Sequence, residues 1–517
     1  MTEDRGPKTE DARTIAQLLE AGAEKDTAIT SPGGLPLSYG ALRAHVAHTV
    51  ATLNSRGIGA NDRVAIVLDN GPEMATAFLA IGAGATAAPL NPSYRADEFE
   101  FYLTDLRAKV LVIFAGKATP AEAVAMKLGV PIARLVAHPE NGAGSFSLEF
   151  PDSLKAIPER APRMASPDDI ALVLHTSGTT SRPKIVPLAQ RNVCASAGNI
   201  RHSLALTKSD IGLVVMPLFH IHGLMAALLA PLSAGGAVSC TTGFNALKFF
   251  GWLGEAKPTW YTAVPTMHQT ILLRAPKNAD AVAASHLRFA RSSSSSLPPT
   301  VLAELERVFR TRVVEAYGMT EASHQMASNP LAPKERKPGT VGLAAGPEIR
   351  VVNEQGHTVP VGERGEIVIR GGNVMAAYEN NPDANATGFI DGWFRTGDVG
   401  TMDDEGYLSI VGRLKEIINR GGEKISPREV DEIIMEHPAV HQCVTFAVPH
   451  DMLGEDVGAA VVLREGHTAD ERELRAFAAV RLADFKVPRK ILFVKEIPVG
   501  ATGKLQRIGL AAKLGLG

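Results

Sequence analysis

Residues 175–184, HTSGTTSRPK, form the densest group of potential ligand-binding residues in the chain. They follow an apolar run, 170–174, that is typical of a buried β-strand. The glycine frees backbone N–H groups, the hydroxyls donate hydrogen bonds and the lysine supplies positive charge, so the group is suited to a polyphosphate. The residues we assign to this role are Thr176, Ser177, Gly178, Thr179, Thr180 and Lys184. The order is not the Walker pattern GxxxxGK[ST], so a P-loop NTPase fold does not follow, and a plain Ser/Thr/Gly surface turn is the alternative.

Three more strand-like runs end in small or hydroxyl-bearing loops. Residues 211–216 lead into PLFHIHG, residues 287–297 end in five consecutive serines, and residues 313–323 end in YGMTEAS. Helical patterns alternate with such strands from residue 37 onwards, which indicates parallel βαβ units. Because ligands bind outside the carboxyl ends of parallel strands, we expect these loops to converge on one crevice.

The pattern changes after Pro338. Short alternating segments with glycine turns predict a small β-barrel, and the segment beyond Lys415 predicts a shorter α+β unit. The sequence therefore predicts an α/β protein with two domains. The first, 1–414, combines parallel sheets between helices with the barrel, and the second, 415–517, is a smaller α+β domain.

Composition excludes several classes of protein. The 53 Lys and Arg residues nearly balance 55 Asp and Glu residues, so no charge excess favours nucleic acid or an anionic membrane. No apolar run reaches membrane-spanning length, and the N-terminus lacks the apolar core of a signal peptide. Cys194, Cys240 and Cys443 are too widely spaced to indicate a disulfide framework or a zinc site. We expect a cytoplasmic protein that is a monomer or a homodimer.

Five segments resemble the motifs of the acyl-adenylate-forming superfamily, which includes acyl-CoA synthetases, peptide-synthetase adenylation domains and luciferases. In chain order they are TSGTTSRPK, YGMTE, FRTGD, GRLKEIINRGGEKISPREVD and PVGATGKLQR. The similarity extends from about residue 15 to residue 510. HTSGTTSRPK, PLFHIHG, TWYTAVPT, RSSSSSL and EASHQMASNP are most similar to the oxalate–CoA ligase branch.

The resemblance implies a reaction in two steps that uses ATP, Mg²⁺ and coenzyme A. A carboxylate attacks the α-phosphorus of ATP and releases pyrophosphate, and the CoA thiolate then displaces AMP from the acyl-AMP. Oxalate is the expected acid, with malonate or a short- to medium-chain acid as alternatives. A stand-alone enzyme that loads a carrier protein is a further alternative. A catalytically inactive nucleotide-binding protein is disfavoured, because Lys184, Glu321, Asp398 and Lys504 are all present.

The resemblance also assigns residues to the nucleotide. Glu321 is expected to bind Mg²⁺, and Thr320 to donate a hydrogen bond to the α-phosphate. Asp398 is expected to accept hydrogen bonds from both ribose hydroxyls, with Arg413 in support. The remaining nucleotide-binding residues are Ser294, Ser295, Ser296, Tyr317, Gly318 and Met319, with the Tyr317 ring against adenine.

Lys504 resembles the family lysine that bridges the α-phosphate and the acyl carboxylate. Because it lies in the other predicted domain, the resemblance implies a mobile C-terminal domain with Lys415 as the hinge. In the thioester-forming state, the pantetheine tunnel is expected to be lined by Gly421, Gly422 and Glu423. His220 matches the position that gates this tunnel, although both His220 and His222 could instead be hydrogen-bonded core histidines.

A diacid bound through one carboxylate leaves a second negative charge that a buried pocket must pair. His324, Ser294 and His220 are the candidates for this substrate site. Trp260, Tyr261 and His268 could limit the pocket or simply pack in the core. Ile185 stands where most relatives have glycine, and a β-branched residue there is expected to stiffen the phosphate loop.

Overall fold

The structure, a computed structural model, describes residues 12–154, 163–176, 183–498 and 507–516. These residues divide into two compact units. The first contains residues 12–154, 163–176, 184–348 and 370–387. The second contains residues 349–369, 388–498 and 507–516. No helix within these ranges is long and apolar enough to cross a membrane.

A seven-stranded sheet forms one layer of the first unit. Its strands in spatial order are Phe146–Glu149, Ile132–Ala137, Val110–Phe114, Arg63–Val67, Thr86–Pro89, Ile170–Thr176 and Lys184–Ala189. The central pairs are parallel, and the two outermost pairs are antiparallel. The helices connected to this sheet are Tyr39–Ser55, Pro72–Gly84, Ala96–Leu106 and Pro120–Leu128, with a 3₁₀ turn at Pro139–Asn141.

A nine-stranded sheet forms a second layer of the first unit. Its strands in spatial order are Leu343–Ala344, His324–Ser328, Arg312–Met319, Phe289–Ser292, Trp260–Ala263, Ile211–Val214, Ala237–Cys240, Thr27–Thr30 and Leu37–Ser38. The other α-helices of the first unit are Ile15–Leu18, Gln190–Ser203, Ala230–Ser233, Phe249–Ala256, Pro265–Arg274, Ala279–Ala283, Pro299–Phe309 and Pro382–Gly388. The same unit contains the π-helix Gly223–Leu229 and the 3₁₀ turns Leu19–Ala21, Ala275–Asn278 and Thr320–Ala322. The six strands from Thr27–Thr30 to Arg312–Met319 are parallel to one another, as the βαβ rhythm predicts.

Local sequence explains where several elements begin. The first long helix is predicted from residue 37 but starts at Tyr39, because Leu37 pairs with Ile29 in a strand and the Ser38 hydroxyl caps the helix. Proline occupies the first turn of the helix Pro72–Gly84, where a missing N–H costs no hydrogen bond. Nearly every side chain of that helix is buried, which accounts for its uniformly apolar sequence.

Two hydrophobic cores pack against the faces of these sheets. One lies beside the seven-stranded sheet and includes Phe99, Leu103, Leu111 and Val173. The other lies beside the nine-stranded sheet and includes Phe249, Tyr261, Leu305 and Val313. Cys194, Cys240 and Cys443 are free and buried, and burial raises the pKa of all three thiols.

The second unit contains two five-stranded sheets. The strands Glu348–Val352, Gly365–Arg370, Phe389–Ile390, Trp393–Met402 and Leu408–Arg413 form the sheet in the region where the sequence predicts a small barrel. The other sheet contains the strands Ile418–Arg420, Glu423–Ile425, Val440–His450, Gly454–Leu463 and Lys490–Phe493. Helices Pro427–Met435, Glu471–Ala479 and Leu510–Lys513 and the 3₁₀ turns Leu414–Glu416 and Asp484–Lys486 complete the unit. This is the α+β arrangement that the sequence predicts for the C-terminal part.

Candidate active site

Lys184 and Glu321 both contact the Tyr378 side chain. The Lys184 ammonium is 4.1 Å from the centre of the Tyr378 ring, and the Tyr378 hydroxyl donates a 2.7 Å hydrogen bond to Glu321 Oε1. Glu321 is 7% exposed. The structure thus brings together a predicted phosphate-binding cation and the predicted metal-binding carboxylate, which are far apart in the sequence.

Glu321 is held on a tight connection between two antiparallel strands. The 3₁₀ turn Thr320–Ala322 joins Arg312–Met319 to His324–Ser328, and the Met375 N–H donates to the Glu321 carbonyl. A side chain at position 318 would place its Cβ 1.9 Å from the His324 carbonyl oxygen, so only glycine fits there. Ser323 and His324 adopt positive φ angles of 48° and 91°, which is uncommon for residues other than glycine and is typical of functional turns.

The other predicted nucleotide-binding residues lie on neighbouring strand ends. Tyr317 is buried near the end of its strand, Met319 pairs with His324, and Thr320 is half-buried in the turn. Ser295 is exposed and Ser296 half-buried, just beyond the strand Phe289–Ser292. Thr176 pairs with Lys184 across an antiparallel ladder. Four predicted phosphate-binding residues and the predicted catalytic lysine lie outside the described residues: Ser177, Gly178, Thr179, Thr180 and Lys504.

A group of polar side chains meets behind the serine run. His222 Nδ1 is 3.0 Å from Ser294 Oγ, and His222 Nε2 is 2.6 Å from Thr262 Oγ1. The His324 ring stacks on the His222 ring with centres 4.7 Å apart and an interplanar angle of 18°. Both histidines are buried, whereas Ser294 is half-buried and has a positive φ of 72°. The predicted substrate residues His324 and Ser294 are therefore neighbours of the same imidazole.

His220 lies elsewhere in this part of the unit. It is half-buried at the turn before the π-helix, with its ring 4.7 Å from that of Phe219. The structure therefore places His222 in contact with two of the three predicted substrate residues, Ser294 and His324, although the sequence favours His220 for a functional role.

Trp260, Tyr261 and His268 are fully enclosed in the core rather than arranged along a cavity. Tyr261 packs against Phe249, and Trp260 lies against Phe289. His268 shares a hydrogen bond with Tyr261 Oη at 3.2 Å and one with the Arg291 carbonyl at 3.3 Å, and burial lowers its pKa to about 4. The packing alternative accounts for all three side chains.

Ile185 lies in the strand Lys184–Ala189, and its side chain is buried. It pairs with His175 and belongs to the core that also contains Val173 and Tyr102. A β-branched side chain is favourable in an extended, buried strand. Ile185 therefore lies in a regular strand and not in a loop, and its effect on the phosphate loop stays a prediction.

Asp398 and Arg413 form one site in the second unit. They face each other on adjacent antiparallel strands, and Arg413 Nε is 2.9 Å from Asp398 Oδ1. Asp398 is buried while Arg413 is exposed, so the carboxylate has a fixed orientation with the guanidinium at its outer edge. This geometry suits a carboxylate that accepts hydrogen bonds from a ligand.

The predicted hinge and tunnel residues also lie in the second unit. Lys415 is exposed in the 3₁₀ turn Leu414–Glu416, and its hinge role stays a prediction. Gly421 and Gly422, with φ of 58° and 98°, form a two-residue hairpin turn between Arg420 and Glu423. Both positions need positive φ, which explains the two glycines without reference to a ligand.

Two family models match the chain. The AMP-binding enzyme model matches residues 19–379, and the AMP-binding enzyme C-terminal domain model matches residues 429–504. The chain therefore belongs to the AMP-binding enzyme family, which confirms the adenylate-forming resemblance.

Curated relatives extend over nearly the whole chain. An oxalate–CoA ligase of Arabidopsis thaliana is 45% identical over 506 residues, which are 96% of this chain and 98% of the relative. An oxalate–CoA ligase of Saccharomyces cerevisiae is 42% identical over 468 residues and covers 86% of each chain. Among solved structures, ATP-bound MatB from Rhodopseudomonas palustris superposes with a TM-score of 0.86 at 30% identity, covering 97% of this chain and 99% of that one.

Sequence reasoning missed three residues of the polar groups described above. They are Thr262, Arg291 and Tyr378, whose contacts with His222 and Glu321 join strands and loops far apart in the chain. The sequence did contain a signal for Arg291, because it is a charged residue inside the apolar strand that precedes the serine run. A buried charge costs free energy unless it has hydrogen-bond partners. Tyr378 carried no comparable signal.

Proposed function

We propose that the protein is an AMP-forming oxalate–CoA ligase. It would convert oxalate, ATP and coenzyme A into oxalyl-CoA, AMP and pyrophosphate. In the first step an oxalate oxygen bonds to the α-phosphorus and pyrophosphate leaves. In the second step the CoA sulfur bonds to the acyl carbon and AMP leaves with the electron pair. The family supports the ligase chemistry, and the two oxalate–CoA ligase relatives support the choice of acid.

The observation that carries the choice of acid is the polar group around His222. His222, His324 and Ser294 present donors and acceptors behind the strand end that precedes the serine run. An apolar substrate would offer no acceptor to the Ser294 hydroxyl hydrogen, at a cost of about 1–3 kcal/mol. A small dianion instead provides carboxylate oxygens that such groups can bind. The site therefore favours a second carboxylate over a hydrocarbon chain.

We propose that Lys184 neutralises the β- and γ-phosphates together with the hydroxyls of the residues before it. The hydroxyls are those of Thr176, Ser177, Thr179 and Thr180, and Gly178 would free backbone N–H groups for the same phosphates. Glu321 would hold Mg²⁺, and its character supports this role: the carboxylate is a hard oxygen ligand, is largely buried and is oriented by the Tyr378 hydroxyl. When bound, Mg²⁺ would supply positive charge to the phosphate oxygens. Thr320 would donate a hydrogen bond to the α-phosphate, and Tyr317 would contact the adenine.

We propose ribose binding by Asp398, which the ion pair with Arg413 supports by orienting the carboxylate. Lys504 would stabilise the oxygens of the α-phosphate and the attacking carboxylate. The second half-reaction would follow a rotation at Lys415, after which Gly421, Gly422 and Glu423 would line the pantetheine path, with His220 at the entrance. Domains 1–414 and 415–517 would be the moving parts.

Pyrophosphate release with ATP, Mg²⁺ and coenzyme A tests this function. The acids compared would be oxalate, malonate, acetate, hexanoate and benzoate. We expect oxalate to give the highest kcat/KM by at least about tenfold, which corresponds to about 1.4 kcal/mol. A preference for malonate would keep the dianion argument and change the substrate. A preference for a monoacid would contradict the role proposed for the polar group, and no release with any acid would contradict the ligase function.

A further inference from the structure

Arg291 is a fully buried guanidinium in the middle of the nine-stranded sheet. It is 0% exposed and lies on the strand Phe289–Ser292, three residues before Ser294. Within the described ranges no carboxylate pairs with it, and its acceptors are neutral: Thr262 Oγ1 at 3.3 Å, Gln325 Oε1 at 3.2 Å and His222 Nε2 at 3.3 Å. Burying a cation without a counter-charge costs free energy, and this cost indicates that Arg291 has a functional role.

The contacts of Arg291 favour one of the two neutral tautomers of His222. A guanidinium can only donate hydrogen bonds, so the His222 Nε2 that it faces must offer a lone pair. The Thr262 hydroxyl, which accepts from Arg291, can donate its own hydrogen to the same nitrogen at 2.6 Å. An imidazolium, or a neutral ring protonated at Nε2, would point an N–H at the guanidinium. This arrangement favours Nδ1 as the protonated nitrogen.

The direction of the next hydrogen bond follows from this tautomer. In the Nδ1–H tautomer, His222 Nδ1 donates to Ser294 Oγ over 3.0 Å and Ser294 is the acceptor in this pair. The hydroxyl hydrogen of Ser294 then points to another acceptor, and within the described ranges no residue accepts it. Ser294 is half-buried beyond the end of its strand, where a ligand can reach it.

Neighbouring residues hold the arginine in this orientation. The Gln325 amide donates to Ser203 Oγ at 2.8 Å and to the Ala345 carbonyl at 3.2 Å, which leaves its Oε1 directed at Arg291. His268 contacts the Arg291 carbonyl. Burial lowers the pKa of Arg291 to about 9, so the guanidinium remains charged at neutral pH.

We propose that Arg291 is a positioning residue that fixes His222 as the neutral Nδ1–H tautomer, so that Ser294 donates its hydroxyl hydrogen to a carboxylate of the acid substrate. The proposal rests on the proposed function, because it needs an acid substrate at the serine run. Arg291 does not itself contact the acid. It sets the direction of a chain of hydrogen bonds that ends at Ser294, and the chain favours an anionic acceptor over a hydrocarbon.

The tautomer can be measured without any substrate. In the protein labelled with ¹⁵N-histidine, the His222 signals in a long-range ¹H–¹⁵N correlation spectrum are assigned by their loss in His222→Gln. We expect a protonated Nδ1 and an unprotonated Nε2 at pH 7.5. An Nε2–H tautomer or an imidazolium would overturn the proposal, whichever acid proves to be the substrate.

A double-mutant cycle measures the effect on the acid. Arg291→Met and Ser294→Ala should each raise KM for the preferred acid about tenfold or more, with KM for ATP changed less than twofold. Because Arg291 acts through Ser294, the double variant should resemble Ser294→Ala alone. Multiplied losses in the double variant, or an unchanged KM for the acid in Arg291→Met, would overturn the proposal.

Arg288 provides a matched control at the other end of the same strand, where it pairs with Asp210 at 2.8 Å. Arg288→Met should leave KM for the acid unchanged, and an increase equal to that of Arg291→Met would overturn the relay. If Arg291→Met does not fold, the His222 tautomer in the unmodified protein decides the question. A monoacid preference in the panel would remove the proposed function while the tautomer result still stood.

Discussion

Glu321 is a carboxylate kept largely out of bulk water on a turn between two antiparallel strands. The Tyr378 hydroxyl donates a hydrogen bond to one oxygen, which orients the group without neutralising it. A carboxylate in this position can bind a hard cation with its second oxygen, and few carboxylates are needed when the nucleotide supplies the other ligands. The carboxylate and its fixed position on the turn both support the proposed binding of Mg²⁺ by Glu321.

Glu321→Gln should lower kcat for adenylate formation by about 10²–10³-fold, because the amide keeps the shape but loses the charge that holds Mg²⁺. Raising the Mg²⁺ concentration should restore part of the rate. The measurement is pyrophosphate release over a range of Mg²⁺ concentrations. Tyr378→Phe, which removes only the orienting hydroxyl, should show a smaller loss. Equal Mg²⁺ dependence in Glu321→Gln and the unmodified enzyme would contradict the metal-binding role.

His324→Ala should raise KM for oxalate by about 10–100-fold, the effect of losing a hydrogen bond to a charged group. KM for ATP should change far less, since the stacked His324 and His222 rings form the polar group assigned to the acid. Steady-state kinetics with each substrate varied in turn gives both values. His202→Ala, an exposed histidine on the helix Gln190–Ser203, is the control. An unchanged KM for oxalate would remove His324 from the acid site.

At the scale of elements, the sites occupy strand ends and the turns that follow them. Arg507, three residues after Lys504, anchors the C-terminal segment 507–516 to the rest of the second unit. Arg507 Nη2 is 2.6 Å from Asp431 Oδ2, its Nε is 3.3 Å from Glu416, and it donates to the Thr445 carbonyl at 2.9 Å. One guanidinium therefore ties a helix, a strand and the turn that contains Lys415 to the segment after the predicted catalytic lysine.

Arg507→Met should destabilise the second unit by about 3 kcal/mol, because it leaves the buried Asp431 carboxylate without a cation. The double variant Arg507→Met/Asp431→Asn should recover part of this loss. Hydrogen exchange of the strands Val440–His450 and Gly454–Leu463 measures the local opening free energy. Arg481→Met, which removes an exposed pair with Glu436, is the control and should have little effect. Equal exchange in all variants would show that the Arg507 pair is not stabilising.

At the scale of the whole molecule, the chain contains two compact units with different chemistry. The first holds Lys184, Glu321 and the polar group around His222, and the second holds Asp398 and Arg413. Lys504 belongs to the C-terminal family domain by its position in the sequence. When an enzyme uses residues from two such units, each half-reaction can depend on a different set of residues.

Lys504→Ala should lower adenylate formation by about 10³-fold or more and leave thioester formation from supplied oxalyl-AMP nearly unchanged. The reason is that, in the proposed role, the lysine stabilises charge only while the α-phosphorus is attacked. Pyrophosphate release measures the first half-reaction, and CoA thioester formation from the synthetic adenylate measures the second. Lys513→Ala, a lysine on the last described helix, is the control. Equal losses in both half-reactions would contradict the role proposed for Lys504.

Local sequence alone determined the alternation of strands and helices and the family, and it supplied the site residues that stay predictions. These properties depend on local patterns: apolar periodicity sets the elements, and motifs such as YGMTE keep a turn and its functional groups within a few residues. Element ends were less accurate, as at Tyr39, because the pairing of Leu37 with Ile29 is a non-local contact.

Only the tertiary structure decided which side chains meet. It placed Tyr378 in contact with both Lys184 and Glu321, put His222 rather than His220 beside Ser294, and assigned His268 and Tyr261 to the core. It also placed Arg291, a charged residue in an apolar strand, within hydrogen-bond distance of His222, Thr262 and Gln325. The physical reason is that hydrogen-bond direction and burial depend on groups from distant strands, whose approach is set by sheet order and not by spacing along the chain.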